Sequence, residues 1–128
     1  MYLLDTNTVI YFCNSKLPEA SRDLLLNINP AISVITNIEL FASAKLPDNE
    51  RAVLEAFISI CTVYAEIDST IVAKTIAIRQ QYHTKLPDAI IAATALAYNL
   101  TLITHNMSDF QKINGLQLID PMNTRPIS

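Results

Sequence analysis

An α/β domain with a mainly parallel sheet is the fold class this sequence predicts, and three observations predict it. Short apolar runs alternate with segments whose apolar residues recur at helical spacing, the pattern of successive strand–helix units. The 128 residues are 51% hydrophobic and only 16% charged, which excludes a disordered chain. No repeat, low-complexity stretch or linker divides the sequence, so 1–128 reads as a single domain. A chain of this length buries about two-thirds of its unfolded surface.

The elements follow in order. Tyr2-Leu3-Leu4 is the first strand, and a helical turn follows near Thr8 to Cys13. Pro18 to Ile28 reads as a helix, with Leu24, Leu25 and Ile28 at helical spacing. Ala31 to Ile35 is the second strand, after which Thr36 caps a helix running to about Ala44. Asp48 to Ile60 is an amphipathic helix expected to bury Val53, Leu54, Phe57 and Ile58. Thr62 to Ala65 is the third strand. Ser69 to Tyr82 is a helix with Val72, Ile76 and Ile78 or Arg79 around its faces. Pro87, pre-organised for a first turn, opens the next helix. From Ala89 to Tyr98 that helix is apolar nearly all round, so it belongs in the centre. Thr101-Leu102-Ile103 is the fourth strand, and Leu116 to Ile119 a candidate fifth.

Composition removes several function classes. Gly115 is the single glycine, which excludes the phosphate-cradling loops GxxxxGK[ST] and GxGxxG. With only His83 and His105 there is no HExxH, nor a Cys/His cluster at zinc spacing. Cys13 and Cys61 sit among apolar neighbours and read as buried free thiols. Ala89 to Tyr98, the longest apolar stretch, falls far short of the roughly 20 residues that span a bilayer. Met1-Tyr2-Leu3-Leu4 runs into Asp5 without the basic lead of a secretory signal. The expectation is a cytoplasmic protein with no membrane association. Nine basic against twelve acidic residues give net charge −3, the wrong sign for generic phosphate-backbone binding. Any chemistry falls to carboxylates.

In open α/β sheets, ligands bind beyond the carboxyl ends of the strands. Asp5 directly follows strand one, Glu39 lies one helical turn beyond strand two, and Asp109 lies in the loop after strand four. Asp88 starts the buried helix that feeds strand four. Each also has a structural reading. Asp5 suits a helix cap, and Glu39 completes a capping box in Thr36-Asn37-Ile38-Glu39. Asp88 favours a helix macrodipole, and Asp109 suits a loop. Gathered in one cleft, however, the four would repel one another unless a cation neutralised them. Hard oxygen donors favour Mg²⁺ or Mn²⁺, and such a site activates water and stabilises charge on a phosphodiester. Two divalent ions would carry the balance from −3 to +1.

Four segments carry a resemblance. Leu3-Leu4-Asp5-Thr6-Asn7, Ile38-Glu39-Leu40, Leu86-Pro87-Asp88-Ala89-Ile90-Ile91-Ala92-Ala93-Thr94-Ala95 and Leu102-Ile103-Thr104-His105-Asn106-Met107-Ser108-Asp109-Phe110 resemble, in order, the four motifs of PIN domains. The third is the most specific. The compact chain looks most like the VapC-type toxins of prokaryotic toxin–antitoxin pairs. The resemblance implies a PIN-like three-layer α/β/α domain with a central, mainly parallel sheet of four to five strands. It implies a Mg²⁺-dependent endoribonuclease, with Mn²⁺ as the alternative ion, leaving 5′-phosphate and 3′-hydroxyl ends. Asp5 and Asp88 would be direct metal ligands, Glu39 would complete the acidic cluster, and Asp109 matches the fourth acid. Asn7, Thr104 and Asn106 would orient waters or phosphate, or make turn hydrogen bonds. His105 takes a place where a basic residue is common. Implied partners are an RNA substrate, an antitoxin protein and a second copy in a homodimer.

Two rivals remain. Asp5-Thr6-Asn7-Thr8-Val9 also resembles the DxDx[TV] opening of haloacid-dehalogenase-type phosphatases, but Asn7 replaces the general acid and cannot donate its proton. A non-catalytic RNA- or protein-binding module is the other. Lys45, Arg51, Lys85, Lys112 and Arg125 are scattered and receive no site role.

Overall fold

The computed structural model describes residues 1–123. Its elements run β1 (Tyr2–Leu4), α1 (Thr6–Cys13), α2 (Glu19–Asn27), β2 (Pro30–Ser33), α3 (Val34–Phe41) and α4 (Asp48–Ser59). They continue with β3 (Thr62–Tyr64), α5 (Ser69–Tyr82), α6 (Leu86–Ala97), β4 (Thr101–Ile103), α7 (Met107–Phe110) and β5 (Leu118–Ile119). The strands form one five-stranded sheet in the order β3-β2-β1-β4-β5, and every described pair is parallel.

Strand side chains alternate between faces. Leu3, Ala31 and Leu102 lie in register on one face and pack with α5 and α6. Leu4, Ile32 and Ile103 point the other way, into a second core with side chains from α1, α2, α3 and α4. The result is the three-layer α/β/α arrangement. Helix α6 is the centre of the first layer: every residue from Ala89 to Ala95 is buried, as its continuous apolar surface predicts. Among the described residues no helix is long and apolar enough to cross a membrane.

The structure corrects several local expectations. Strand β2 ends at Ser33, whose hydroxyl accepts the Ile35 N–H at 3.1 Å and caps α3. Val34-Ile35-Thr36 looks like strand because it is β-branched, yet a cap placed before it draws it into helix. Thr36 is therefore a buried helical residue, and α3 stops at Phe41, short of Ala44. In α4, Leu54 and Phe57 are buried but Val53 is exposed, because the buried stripe is narrower than the apolar pattern. In α5 the inward residues are Ile71, Thr75 and Ile78, while Val72 and Ile76 face outward. Leu86, not Pro87, begins α6, and β5 shrinks to Leu118–Ile119. Asp109 sits on the short helix α7, not in a loop. Arg125 lies outside the described residues. Cys13 and Cys61 are free thiols, half-buried, and burial pushes both up to about 11.

A chain with one glycine must turn its helices off with other residues. Gly115 takes a positive φ of 84° before β5, but Ser15, His83 and Asn99 adopt φ of 63°, 55° and 54° near helix ends. His83, the C-cap of α5, is exposed. A left-handed L-residue costs about 1–2 kcal/mol, of which glycine's greater unfolded freedom returns about 0.5–1 kcal/mol. His83→Gly is thus expected to raise stability by about 0.5–1 kcal/mol, read as a higher denaturant midpoint at unchanged slope. A lower midpoint would show that the His83 side chain contributes more than its backbone strain removes.

Candidate active site

The strand order reverses at β1, with β2 on one side and β4 on the other. Loops leaving the carboxyl ends of β1 and β4 therefore diverge and leave a crevice. Asp5 stands at its floor, only 6% exposed. One carboxylate oxygen accepts the Thr8 N–H at 2.9 Å and caps α1. The other accepts the hydroxyl of Thr104 at 2.5 Å. Thr104 follows β4, is fully buried, and its oxygen also accepts the Asn106 N–H at 3.0 Å. Capping and cleft position coexist in Asp5.

The crevice is a cleft of about 280 Å³ whose lining includes Asp5, Glu39, Asp88 and Asp109, the four acids singled out from sequence. Glu39 is exposed on α3 and accepts the Thr6 hydroxyl at 2.6 Å. Thr6 in turn lies 3.1 Å from the Thr36 hydroxyl, so α1 and α3 are joined beside the cleft. The capping-box reading of Glu39 fails, because the cap is Ser33 and Thr36 points to Thr6. Asp109 accepts the Asn106 side-chain amide at 2.9 Å. Asp88 sits in the first turn of α6, half-buried. Burial pushes its carboxyl above the usual range, and the charges of Asp5, Asp109 and Glu39 push the same way, against Lys85.

Asn7 is exposed on the cleft wall, whereas Thr104 and Asn106 spend hydrogen bonds within the protein. His105 is exposed and places Nδ1 3.0 Å from Asp120. Two polar lining residues were given no role from sequence: one was set among the scattered basic residues and the other quoted only within the first motif. Lys85, the N-cap position of α6, lies three residues before Asp88, and Thr6 directly follows Asp5. Adjacency to the acids was the available signal for both.

The donors facing the cleft are hard oxygens. Among the described residues no three acidic, His or Cys side chains make a complete metal cage. Mg²⁺ does not require one, since it is typically held by one or two carboxylates with waters and substrate phosphate. Each carboxylate offers about four lone-pair sites, so the two hydrogen bonds on Asp5 leave donors available to an ion. The residues fit a hydrated divalent cation.

The sequence matches the PIN domain family over residues 2–116. It is 34% identical to the tRNA(fMet)-specific endonuclease VapC of Salmonella typhimurium, with 93% of this chain and 96% of that protein covered. Among solved structures, a toxin-antitoxin complex from Klebsiella pneumoniae superposes with TM-score 0.76 at 34% identity, covering 94% of this chain and 98% of that one. DNA-bound VapBC from Salmonella typhimurium gives TM-score 0.82 at 30% identity, covering 93% and 96%.

The raised Asp88 carboxyl sets a pH dependence. The folded chain holds that proton more tightly than the unfolded chain. Its stabilising contribution is therefore complete below the ordinary carboxylate range and lost as pH rises through the raised folded value. In chelator, wild type should lose stability as pH rises above the ordinary carboxylate range, and Asp88→Asn should lose less. The variant is expected to melt higher at neutral pH. A lower melting point would mean that the helix-dipole contribution of Asp88, about 0.3–1 kcal/mol, outweighs its repulsions.

Proposed function

The chain belongs to the PIN domain family, and from that membership we propose a metal-dependent endoribonuclease that hydrolyses RNA phosphodiester bonds, the toxin of a toxin–antitoxin pair. The observation that carries the reading is the meeting of Asp5, Glu39, Asp88 and Asp109 on one cleft, where burial first, and then the charges of the other three, raise the Asp88 carboxyl. The VapC relative is an endonuclease, and the Klebsiella neighbour is a toxin-antitoxin complex. These support RNA as substrate and an antitoxin as partner. A homodimer working in the cytoplasm completes the proposal.

Asp5 and Asp88 would hold Mg²⁺ or Mn²⁺. When bound, such an ion supplies activation of an attacking water and neutralises charge developing on the phosphodiester. Asp5 is suited to this by its two anchors, which fix the carboxylate before substrate arrives. Glu39, held by Thr6, would orient water from the α3 side. Asp109 would present its carboxylate from α7, with Asn106 fixing the side chain. Lys85 would face the substrate phosphate at the cleft mouth. Asn7 stands where a phosphatase of the aspartyl-phosphate type needs a proton donor, and an amide supplies none.

Purified protein should cut mixed RNA with Mg²⁺ or Mn²⁺ and stop in chelator. Asp88→Asn and Glu39→Gln are each expected to lose about 10²–10³-fold in cleavage, with Glu39→Gln within about 0.5 kcal/mol of wild-type stability. Sequencing of RNA ends after controlled expression, against an Asp88→Asn control, identifies the sites cut. RNA that binds but stays intact with both metals would replace the nuclease by a binding module. Full activity in Glu39→Gln would remove that residue alone.

A further inference from the structure

Beside the acidic cleft lies a second one of about 230 Å³, lined by Asp5, Asn7, Tyr11, His105 and Asn106. Asp5, Asn7 and Asn106 line both, so the two are continuous. Their chemistry differs. Among the described residues Asp5 is the sole carboxylate lining the second cleft, and each of its oxygens accepts a hydrogen bond, from Thr8 and from Thr104. What the second cleft adds is an aromatic ring and an imidazole.

Both rings are held in place. Tyr11 stands four residues after Asn7 on α1, hence on the same helix face. It is half-buried and packed against the core that contains Leu4 and Val9, while among the described residues its hydroxyl has no hydrogen-bond partner. His105 is anchored through Nδ1 to Asp120, whose same oxygen accepts the Met122 N–H at 2.9 Å. That leaves Nε2 to exchange hydrogen bonds with a ligand. Among the described residues no Lys or Arg lines this cleft, so it offers an anion no fixed positive charge. A neutral planar ring stacks there without opposing the neighbouring acids. At about 230 Å³ the cleft is smaller than the roughly 300–1,000 Å³ of pockets that take drug-sized ligands.

We infer that the second cleft is a nucleobase subsite. The base next to the cleaved phosphate stacks on Tyr11, and the Asn7 amide and His105 Nε2 address its edge. Unstacked bases on aromatic side chains are the general mode of single-stranded RNA recognition. The inference rests on the RNA-hydrolase reading for its substrate, but it makes a separate claim about binding.

Two measurements test it. In the first, the full chain with isotope-labelled tyrosine rings is titrated in chelator with the four ribonucleosides and with ribose 5-phosphate. The Tyr11 resonance, identified by its absence in Tyr11→Phe, should shift with at least one nucleoside and not with the sugar phosphate. No shift with any nucleoside overturns the subsite. In the second, cleavage of a short RNA is compared with that of the same RNA lacking the base beside its cut site. Tyr11→Leu should raise KM for the intact RNA by about 5- to 150-fold and add little to the loss already caused by the missing base. Tyr11→Phe should recover most of the KM loss, which separates a lost stacking face from a damaged fold. Equal losses on both RNAs overturn the proposal, because Tyr11 would then act without the base. Nucleoside binding at Tyr11 without metal-dependent cleavage would sink the hydrolase reading and leave the subsite standing.

Discussion

The hydrogen bond from Thr104 to Asp5 joins the ends of two paired strands, β4 and β1, where the loops that follow them diverge. Thr104 continues β4 and Asp5 continues β1, and both are almost completely buried. A carboxylate so placed is tolerable only with charge-assisted partners, because an unpaired buried charge costs far more than a hydrogen bond returns. Its partners come from the α1 backbone and from the β4 extension, so the strand pairing, the start of α1 and the floor of the cleft form one structural unit. The Thr8 hydroxyl strengthens the seam by donating to the Ile103 carbonyl at 3.0 Å.

Around that floor the fold brings like charges together, which hydrophobic burial has to sustain. Helix α6 is enclosed from Ala89 to Ala95 and carries Asp88 on its first turn. The dipole at a helix start favours a carboxylate by about 0.3–1 kcal/mol, whereas two carboxylates about 4 Å apart repel by about 4 kcal/mol at an effective dielectric of 20. The upward shift at Asp88 shows which side prevails: burial and the other acids outweigh Lys85. A cation bound among these acids, as proposed, would relieve that repulsion.

Most of the framework was legible because it rests on local periodicity. Ser69–Tyr82 and Thr101–Ile103 emerge with the bounds the pattern predicts, and the enclosed α6 follows from an apolar surface on all sides. Failures occurred where a cap or a distant contact overrides local preference. Ser33 pulls three β-branched residues into α3, and α7 is four residues long, too short to display a period. Asp5 and Asp88 could be singled out because they stand beside a strand end and a helix start, and Glu39 and Asp109 because each lies in the segment that follows a strand. What holds them could not: Thr6 meets Glu39 across 33 residues and Thr104 meets Asp5 across 99, distances at which spacing carries no information.

Net charge then constrains how this molecule meets RNA. A protein at −3 has no net positive charge to draw a polyanion in from a distance. Among the described residues Lys85 is the one cation lining the acidic cleft, beside four acids. Affinity must therefore be gained at short range, and the two clefts divide that task by chemistry. Where oxygens gather, the proposed cation would offset repulsion of the phosphate. Where Tyr11 and His105 replace them, the nucleotide's uncharged part would make the contact. Because Asp5, Asn7 and Asn106 belong to both walls, a base seated on Tyr11 would fix the position of its own phosphate over the acids, and recognition and hydrolysis would share one geometry.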